Sequence, residues 1–546
     1  MDFGPEKYGA KLHINPTNIP WGSPLAVDVE TDEKDNFVGM AICYTEKEVS
    51  YFTTPQLWIA EAKLITHGGK FDIAMLQKWG CDVKISQLLY DTKVLGYMMD
   101  SSKGRYGLKS LAKEHLGMEW PSYKEMVGTG KKKVTLDKQP VERVAAYCGC
   151  DALATFRLYK YLIARLSKSQ KQYLNEIEMP FYRSLYKMEQ KGIQVNSEHL
   201  RKLDTEFQTD ILELELKLKQ YGDFNPRSPK QVVKVLKQNN VPVNSSDSRI
   251  LKDFVDNEFV KLLLEFREVS KLRSTYTEPL LASPTLPRIY SYFNPTRTVT
   301  GRLASSKPNL QNIPTRTDKG HKLRQAFCTK PGYKLVVIDY SQIEYRLFAH
   351  FSQDPVLLEA YKNDRDVHDE TAKIIGADRR VGKTLNFAAI YGASAKRISQ
   401  TGDIDKGRAD DLLSRYWSKL SKAASWITRT KWEARKNEGV STFFGRFIPL
   451  PNINSRNKFE RFAKERQAVN YVIQGSAAEI IKKAMIELDD KGYVPILQVH
   501  DELIFEVEDG RAEHDASVIK YIMESVVQLT VALKVDVKIA DNWGAK

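Results

Sequence analysis

The sequence predicts an α/β domain, then a helical arm, then a discontinuous α+β domain, and three observations lead there. Between about residues 20 and 165, strand-like runs such as PLAVDVE and VGMAICY alternate with helical ones such as GKFDIAMLQKWG. From about 170 to 290 the texture turns to long charged helices, EFQTDILELELKLKQYG and EFVKLLLEFREVSKLRSTY, with apolar residues at three- and four-residue spacing. Ser228-Pro229 is a helix start inside that arm. Beyond about 290, two acidic strand signals, YKLVVIDY and PILQVHDELIFEV, stand about 150 largely helical residues apart, so a helical insertion interrupts the last domain.

Length and charge narrow the function classes. At roughly 100–200 residues per domain, 546 residues predict three or four domains. No apolar run approaches the roughly 18 residues that cross a bilayer, and the first thirty residues lack an apolar signal core, so neither a membrane protein nor a leader is expected. Five scattered cysteines indicate a reducing compartment, and Cys148-Gly149-Cys150 lacks the second pair a structural zinc needs. Lys+Arg 83 against Asp+Glu 69 leaves +14. That surplus points to a polyanionic partner, nucleic acid first, although a well-solvated surface also carries it.

In LAVDVETD, Asp28 and Glu30 are two apart on a strand and share a face. A solvated strand end has the same pattern, but close like charges repel unless a cation lies between them. Asp72 opens the helix of HGGKFDIAML, where an acid also suits the helix dipole. Tyr147 and Asp151 are four apart on one helix face. Asp91, just before an apolar run, is expected as a helix N-cap. In this order and spacing Asp28, Glu30, Asp72, Tyr147 and Asp151 resemble the 3′–5′ exonuclease domain of family A DNA polymerases. The resemblance implies an RNase H-like α/β fold whose four acids hold two divalent metals for phosphodiester hydrolysis, with Tyr147 orienting the attacking water. Gly68 stands where the family usually has Asn, which implies altered strand positioning.

Three later segments extend the resemblance. TVTGRLASSKPNLQNIP resembles the palm-entry motif, in which Arg302 reaches the primer–template near its 3′ end; Ala304 replaces the commoner Ser. In KLVVIDYSQIEYRLFAH, Asp339 ends a β-branched strand, so its carboxylate is expected beside the core, where an ionised acid is costly unless paired or metal-bound. ILQVHDELIFEV places His500, Asp501 and Glu502 at a hairpin tip between half-buried strands. These two segments resemble motifs A and C. By that resemblance Asp339, Asp501 and the Tyr340 backbone carbonyl bind metal, Glu502 is an auxiliary acid and His500 lies near the primer terminus. Glu344 blocks the sugar 2′ position, and Tyr345, replacing Leu, is expected to pack.

Arg379, Lys383, Phe387 and Tyr391 recur every four residues along one helix face. Cations in the first turns oppose the helix dipole, an arrangement that makes sense if a triphosphate docks there. The segment resembles motif B of the fingers. Arg379 and Lys383 would then grip the triphosphate, Phe387 pack near the sugar and Tyr391 abut the templating position. His368 would touch phosphate, and Ala388 replaces a common Gly. Arg466, Asn470 and Gln474 share another helix face, and buried amides there need partners. By resemblance those partners lie in the DNA minor groove.

The resemblance covers nearly the whole chain and identifies it as a member of family A. It implies an exonuclease domain over 1–168, a thumb over 169–290, a palm over 291–354 and 441–546, and fingers over 355–440. This right-hand polymerase would add deoxynucleotides to a primer, using two Mg2+ ions per active site with Mn2+ as a substitute. Its catalytic set would be Asp339, Asp501, Glu502 and Lys383, with Tyr147 in the exonuclease. A DNA primer–template and deoxynucleoside triphosphates are the implied partners of a monomeric, cytoplasmic enzyme. With only about 20 residues before the exonuclease, no 5′ nuclease domain is expected. A single-subunit RNA polymerase and a catalytically silent DNA-binding relative are the rival readings. Glu344 and the proofreading acids count against the first, and Asp339, Lys383 and Asp501 against the second.

Overall fold

A computed structural model describes residues 3–17, 24–315, 317–390, 392, 398–399 and 405–545. Six strands form the first sheet: β1 Lys11–Ile14, β2 Leu25–Thr31, β3 Phe37–Thr45, β4 Glu48–Phe52, β5 Leu64–Thr66 and β6 Leu88–Asp91. Their order is β1-β4-β3-β2-β5-β6. β3 runs antiparallel to β2 and β4, while the β1–β4, β2–β5 and β5–β6 pairs are parallel. Helices α1 Lys70–Lys78, α2 Thr92–Met99 and α3 Val141–Arg165 accompany the sheet. Small residues let α3 lie close on its neighbours: a Cβ at Gly149 would stand 3.0 Å from Pro5 and 3.2 Å from Leu12. All five cysteines are free, and Cys148 and Cys150 are buried packing residues. Asp91 caps α2 as expected, its carboxylate accepting from the Lys93 and Val94 amides. GTGKKK is a short turn tied down by a Lys133–Glu33 ion pair.

The helical arm contains α4 Ser197–Lys219, α5 Pro229–Gln238 and α6 Glu258–Leu272. α4 buries Leu200, Leu203, Phe207, Ile211, Leu214 and Leu218 at helical spacing, and its charged remainder faces water. Ser228 precedes Pro229 at the first helical position of α5, where proline's missing N–H costs nothing.

A second, four-stranded antiparallel sheet joins the two acidic segments: β7 Tyr333–Tyr340, β8 Leu497–Val499, β9 Glu502–Glu508 and β10 Val535–Ala540, in the order β8-β9-β7-β10. β10 is an addition to the two strand segments read from the sequence; its Asp and Lys interrupt the apolar pattern. Between β7 and β8 lie α7 Ile343–Ser352, α8 Val367–Ile375, α9 Arg379–Ile390, α10 Ser421–Asn437 and the long α11 Lys458–Asp490.

Two hydrophobic cores result, one drawn from residues 10–186 and the other from 181–543. The helix Met179–Lys191 serves both: Met179, Tyr182 and Tyr186 enter the first, and Phe181, Leu185 and Met188 the second.

Candidate active sites

Strand pairing and α3 assemble the N-terminal acids. Ligand atoms of Asp28, Glu30 and Cys148 lie within 4.8 Å of one another. Asp72, from the first turn of α1, and Asp151, from α3, are both buried and repel them electrostatically. Burial, followed by the Asp151, Glu30 and Asp72 charges, holds Asp28 well above the usual carboxylate range. Burial, then Asp91, pushes Asp72 up to about 8. The Cys148 Sγ donates to Asp28 Oδ2 (3.4 Å), and burial, followed by the Asp28 charge, pushes that thiol well above its usual range.

Lys109 escaped the sequence reading. Its Nζ donates to Asp151 Oδ1 (2.9 Å) and lies 4.4 Å from the ring centres of both Trp120 and Tyr147. Trp120 Nε1 donates to the same oxygen at 3.0 Å. Lys109 and Trp120 precede Asp151 by 42 and 31 residues, so no local spacing signals them. The Gly68 and Gly69 amides donate to Asp91 Oδ2 (2.9 and 2.8 Å), and Tyr182 donates to it at 2.9 Å. Asp91 therefore also anchors the turn that presents Asp72.

The second site sits at the ends of β7, β9 and β10. Sheet register puts Glu502 and Asp536 directly opposite Asp339 on either side, so three carboxylates line up across the strands. Two corrections follow. Asp339, the next-to-last residue of β7, stands exposed rather than beside the core. Glu502 begins β9 rather than sitting at the tip; the turn is His500-Asp501, with His500 at φ +56°. Asp536 is a further residue the sequence reading missed.

The surrounding protein, then Glu502, Asp501 and Asp536, raise Asp339 to about 7. Burial raises Asp501 to about 6 against the lowering influence of Arg302. Glu502 is raised by burial and accepts from Trp543 Nε1 at 2.9 Å. His500 is exposed and lowered, first by desolvation and then by Arg302 and Arg324. Arg302 pairs with Glu344 (2.6 Å) and Asp501 (3.5 Å), and its Nε has no partner among the described residues. Glu344 is buried. Tyr340 closes β7, its amide donating to the Asp501 carbonyl at 3.2 Å.

α9 presents Arg379 and Lys383 exposed. Arg379 is paired with Asp366 (2.7 Å) and Asp369 (3.4 Å), both on the segment that starts α8. The Phe387 side chain and Tyr391 lie outside the described residues. His368 is buried, its Nδ1 2.9 Å from Asn386 Nδ2, and burial lowers its pKa. Asn386, another residue not foreseen, also accepts from Thr371 (2.8 Å) and Tyr345 (2.8 Å). Tyr345 is packed as expected, but its hydroxyl joins this polar cluster and Tyr416 (2.9 Å). α9 approaches α8 so closely that a Cβ at Gly382 would stand 2.5 Å from the His368 carbonyl. Ala388 is half-buried. On α11, Arg466 is exposed and Asn470 and Gln474 are half-buried; Asn470 Oδ1 and the adjacent Gln467 Oε1 lack partners among the described residues.

Residues 197–545 match the family described as DNA polymerase family A, and residues 14–167 match a 3'-5' exonuclease family. The chain belongs to DNA polymerase family A, with an exonuclease domain ahead of the polymerase domain. Its relatives include DNA polymerase I of Pseudomonas aeruginosa, 34% identical over 506 residues, an alignment covering 87% of this chain and 55% of that protein. DNA polymerase I of Rhizobium leguminosarum is 35% identical over 511 residues (87% and 50%), and the thermostable DNA polymerase I of Thermus filiformis 38% over 420 (72% and 50%). The chain spans about half the length of these curated relatives. A solved structure, described as the POL domain of Pol1 from M. smegmatis in complex with DNA primer-template and dNTP, matches with a TM-score of 0.83. The two are 29% identical, and the match covers 96% of both chains.

Proposed function

We propose that this chain is a template-directed DNA polymerase that extends a primer 3′ end and proofreads it with a 3′–5′ exonuclease. The observation that carries the reading is the acidic row Glu502–Asp339–Asp536 beside Asp501, with Arg302 spanning Glu344 and Asp501. Residues 169–290 would be the thumb, 291–354 and 441–546 the palm, and 355–440 the fingers, around a DNA primer–template. The chain would act as a monomer in the cytoplasm; no helix of the described residues is long and apolar enough to cross a membrane.

Both acidic clusters fit hard divalent cations such as Mg2+ or Mn2+. Their donors are carboxylate oxygens, crowded together with fewer cations than acids nearby. Asp339, Asp501 and the Tyr340 carbonyl would hold them in the polymerase site, with Glu502 auxiliary; Asp28, Glu30, Asp72 and Asp151 would do so in the exonuclease. Such ions lower the pKa of an attacking hydroxyl or water and offset charge developing on phosphate oxygens.

The chain's own groups do the rest. Arg379, Lys383 and His368 bind the triphosphate, and Phe387 and Tyr391 abut sugar and templating base. Arg379 would exchange its Asp366 and Asp369 partners for phosphate. Glu344, held by Arg302, occupies the space of a 2′-hydroxyl. Arg302, His500, Arg466, Asn470 and Gln474 steady the duplex. The primer 3′ oxygen bonds to the α-phosphorus as the bond to pyrophosphate breaks. In the exonuclease Tyr147 orients the water. The test is metal-dependent primer extension on a defined template, wild type beside Asp501→Ala. Extension by wild type and its loss in the variant are expected. No extension by wild type refutes the reading, and equal use of ribonucleotides would turn it to an RNA polymerase.

A further inference from the structure

Two exposed phenylalanines open α11, the helix that carries Arg466, Asn470 and Gln474. Phe459 is 88% and Phe462 49% exposed. Positions 459, 462, 466, 470 and 474 follow one another at three- and four-residue steps, so the aromatics lie on the same helix face as the three polar residues. Phe459 is roughly 10 Å along the axis from Arg466, about the span of three stacked nucleotides. Further along the helix the opposite side is buried, through Ala468 and Val472. The flank is basic: Arg456, Lys458, Arg461, Lys464 and Arg466 outnumber Glu460 and Glu465. Arg461 stands 5.4 Å from the Phe462 ring centre. Arg466 lies against Gly392, one residue past Tyr391, where a Cβ would be 2.8 Å from its Cγ. The aromatic pair thus begins where the polar face passes the end of the fingers helix.

We propose that Phe459 and Phe462 form a stacking platform for unpaired template bases just ahead of the templating position. Exposed rings present π-faces that accept any base, the surrounding cations attract the phosphates, and neither contact depends on sequence. This rests on the polymerase reading, since it takes the Arg466 face to be the one that meets the template.

The test uses the full chain in fluorescence-anisotropy titrations with primer–templates whose 5′ template overhang is either one nucleotide or about six. Wild type should bind the longer overhang about tenfold more tightly. In Phe459→Ala/Phe462→Ala that ratio should collapse towards one, and Phe459→Trp/Phe462→Trp should keep it. A 2-aminopurine base placed two or three nucleotides into the overhang should be quenched on wild type and not on the Ala variant. An unchanged ratio in the Ala variant, or no overhang preference in wild type, overturns the platform and leaves the face to another occupant, such as a protein. Failure of wild type to extend the primer would instead strike the polymerase reading.

Discussion

Asp151 shares one carboxylate oxygen between an ammonium and an indole, and the ammonium also lies over the Trp120 and Tyr147 rings. Four acids and a tyrosine otherwise crowd this site, so Lys109 offsets repulsion that burial makes expensive. Lys109→Met should lower the stability of chelator-treated protein by about 1 kcal/mol, a figure reduced for the lysine's partial exposure. Urea unfolding at pH 8 measures it, and added Mg2+ should narrow the gap; equal midpoints would remove Lys109 from this role. Asp28 is proposed for the exonuclease site alone. Asp28→Ala should cut degradation of a mispaired primer at least about 100-fold while primer extension stays near wild type. Gel assays with and without deoxynucleotides separate the two. Asp28, Glu30, Asp72, Tyr147 and Asp151 were legible because each sits in a short motif with helical or strand spacing. Lys109 and Trp120 were not, since only folding brings them to Asp151.

Among the elements, the loop Thr298–Arg302 links the two halves. Arg446, buried, donates to the Val299 and Thr300 carbonyls (3.3 and 2.7 Å) and to Tyr97 Oη (3.1 Å), and pairs with Glu479 at 2.7 Å. Tyr97 belongs to α2, in the exonuclease domain, and donates to the Thr298 carbonyl at 3.1 Å. Beside it Lys482 pairs with Glu178 at 2.8 Å. Gly301, at φ +85°, has room for no Cβ without crowding Arg446 Nη2 at 3.1 Å, and the next residue is Arg302. Gly301→Ala therefore combines left-handed strain of about 1–2 kcal/mol with a push on the loop. Extension kcat should fall about tenfold while the exonuclease persists. Loss of both activities would mean that the loop supports the whole fold rather than Arg302. The palm-entry motif was recognisable in sequence; its anchors, Tyr97 and Arg446, come from segments some 200 residues before and 145 after it.

At the scale of the molecule, the acidic centres make stability depend on pH and cations. Asp339 near 7 and Asp501 near 6 lie above the ordinary aspartate value of 3.8. The folded state thus holds extra protons between about pH 4 and 7, and the associated stability, fully present below about pH 4, is lost as pH rises through that window. Chelator-treated protein should melt at lower temperature at pH 8 than at pH 5. Mg2+ should restore more at pH 8, where the carboxylates are ionised, and Asp339→Asn/Asp501→Asn should flatten the pH dependence. A double variant with the wild-type slope would place the effect elsewhere.

Strand and helix periodicity, together with the order of the acidic and basic motifs, let the sequence determine the architecture, the family and most of the residues proposed for chemistry. Tertiary structure decided what those motifs meet. β10 brings Asp536 beside Asp339, Asn386 ties His368 to Tyr345, Lys109 reaches Asp151, and Arg446 locks the loop of Arg302 against the exonuclease domain. The physical reason is range. Periodicity and capping act within a few turns and leave a local mark, whereas sheet register and buried ion pairs depend on side chains that only the folded backbone brings together.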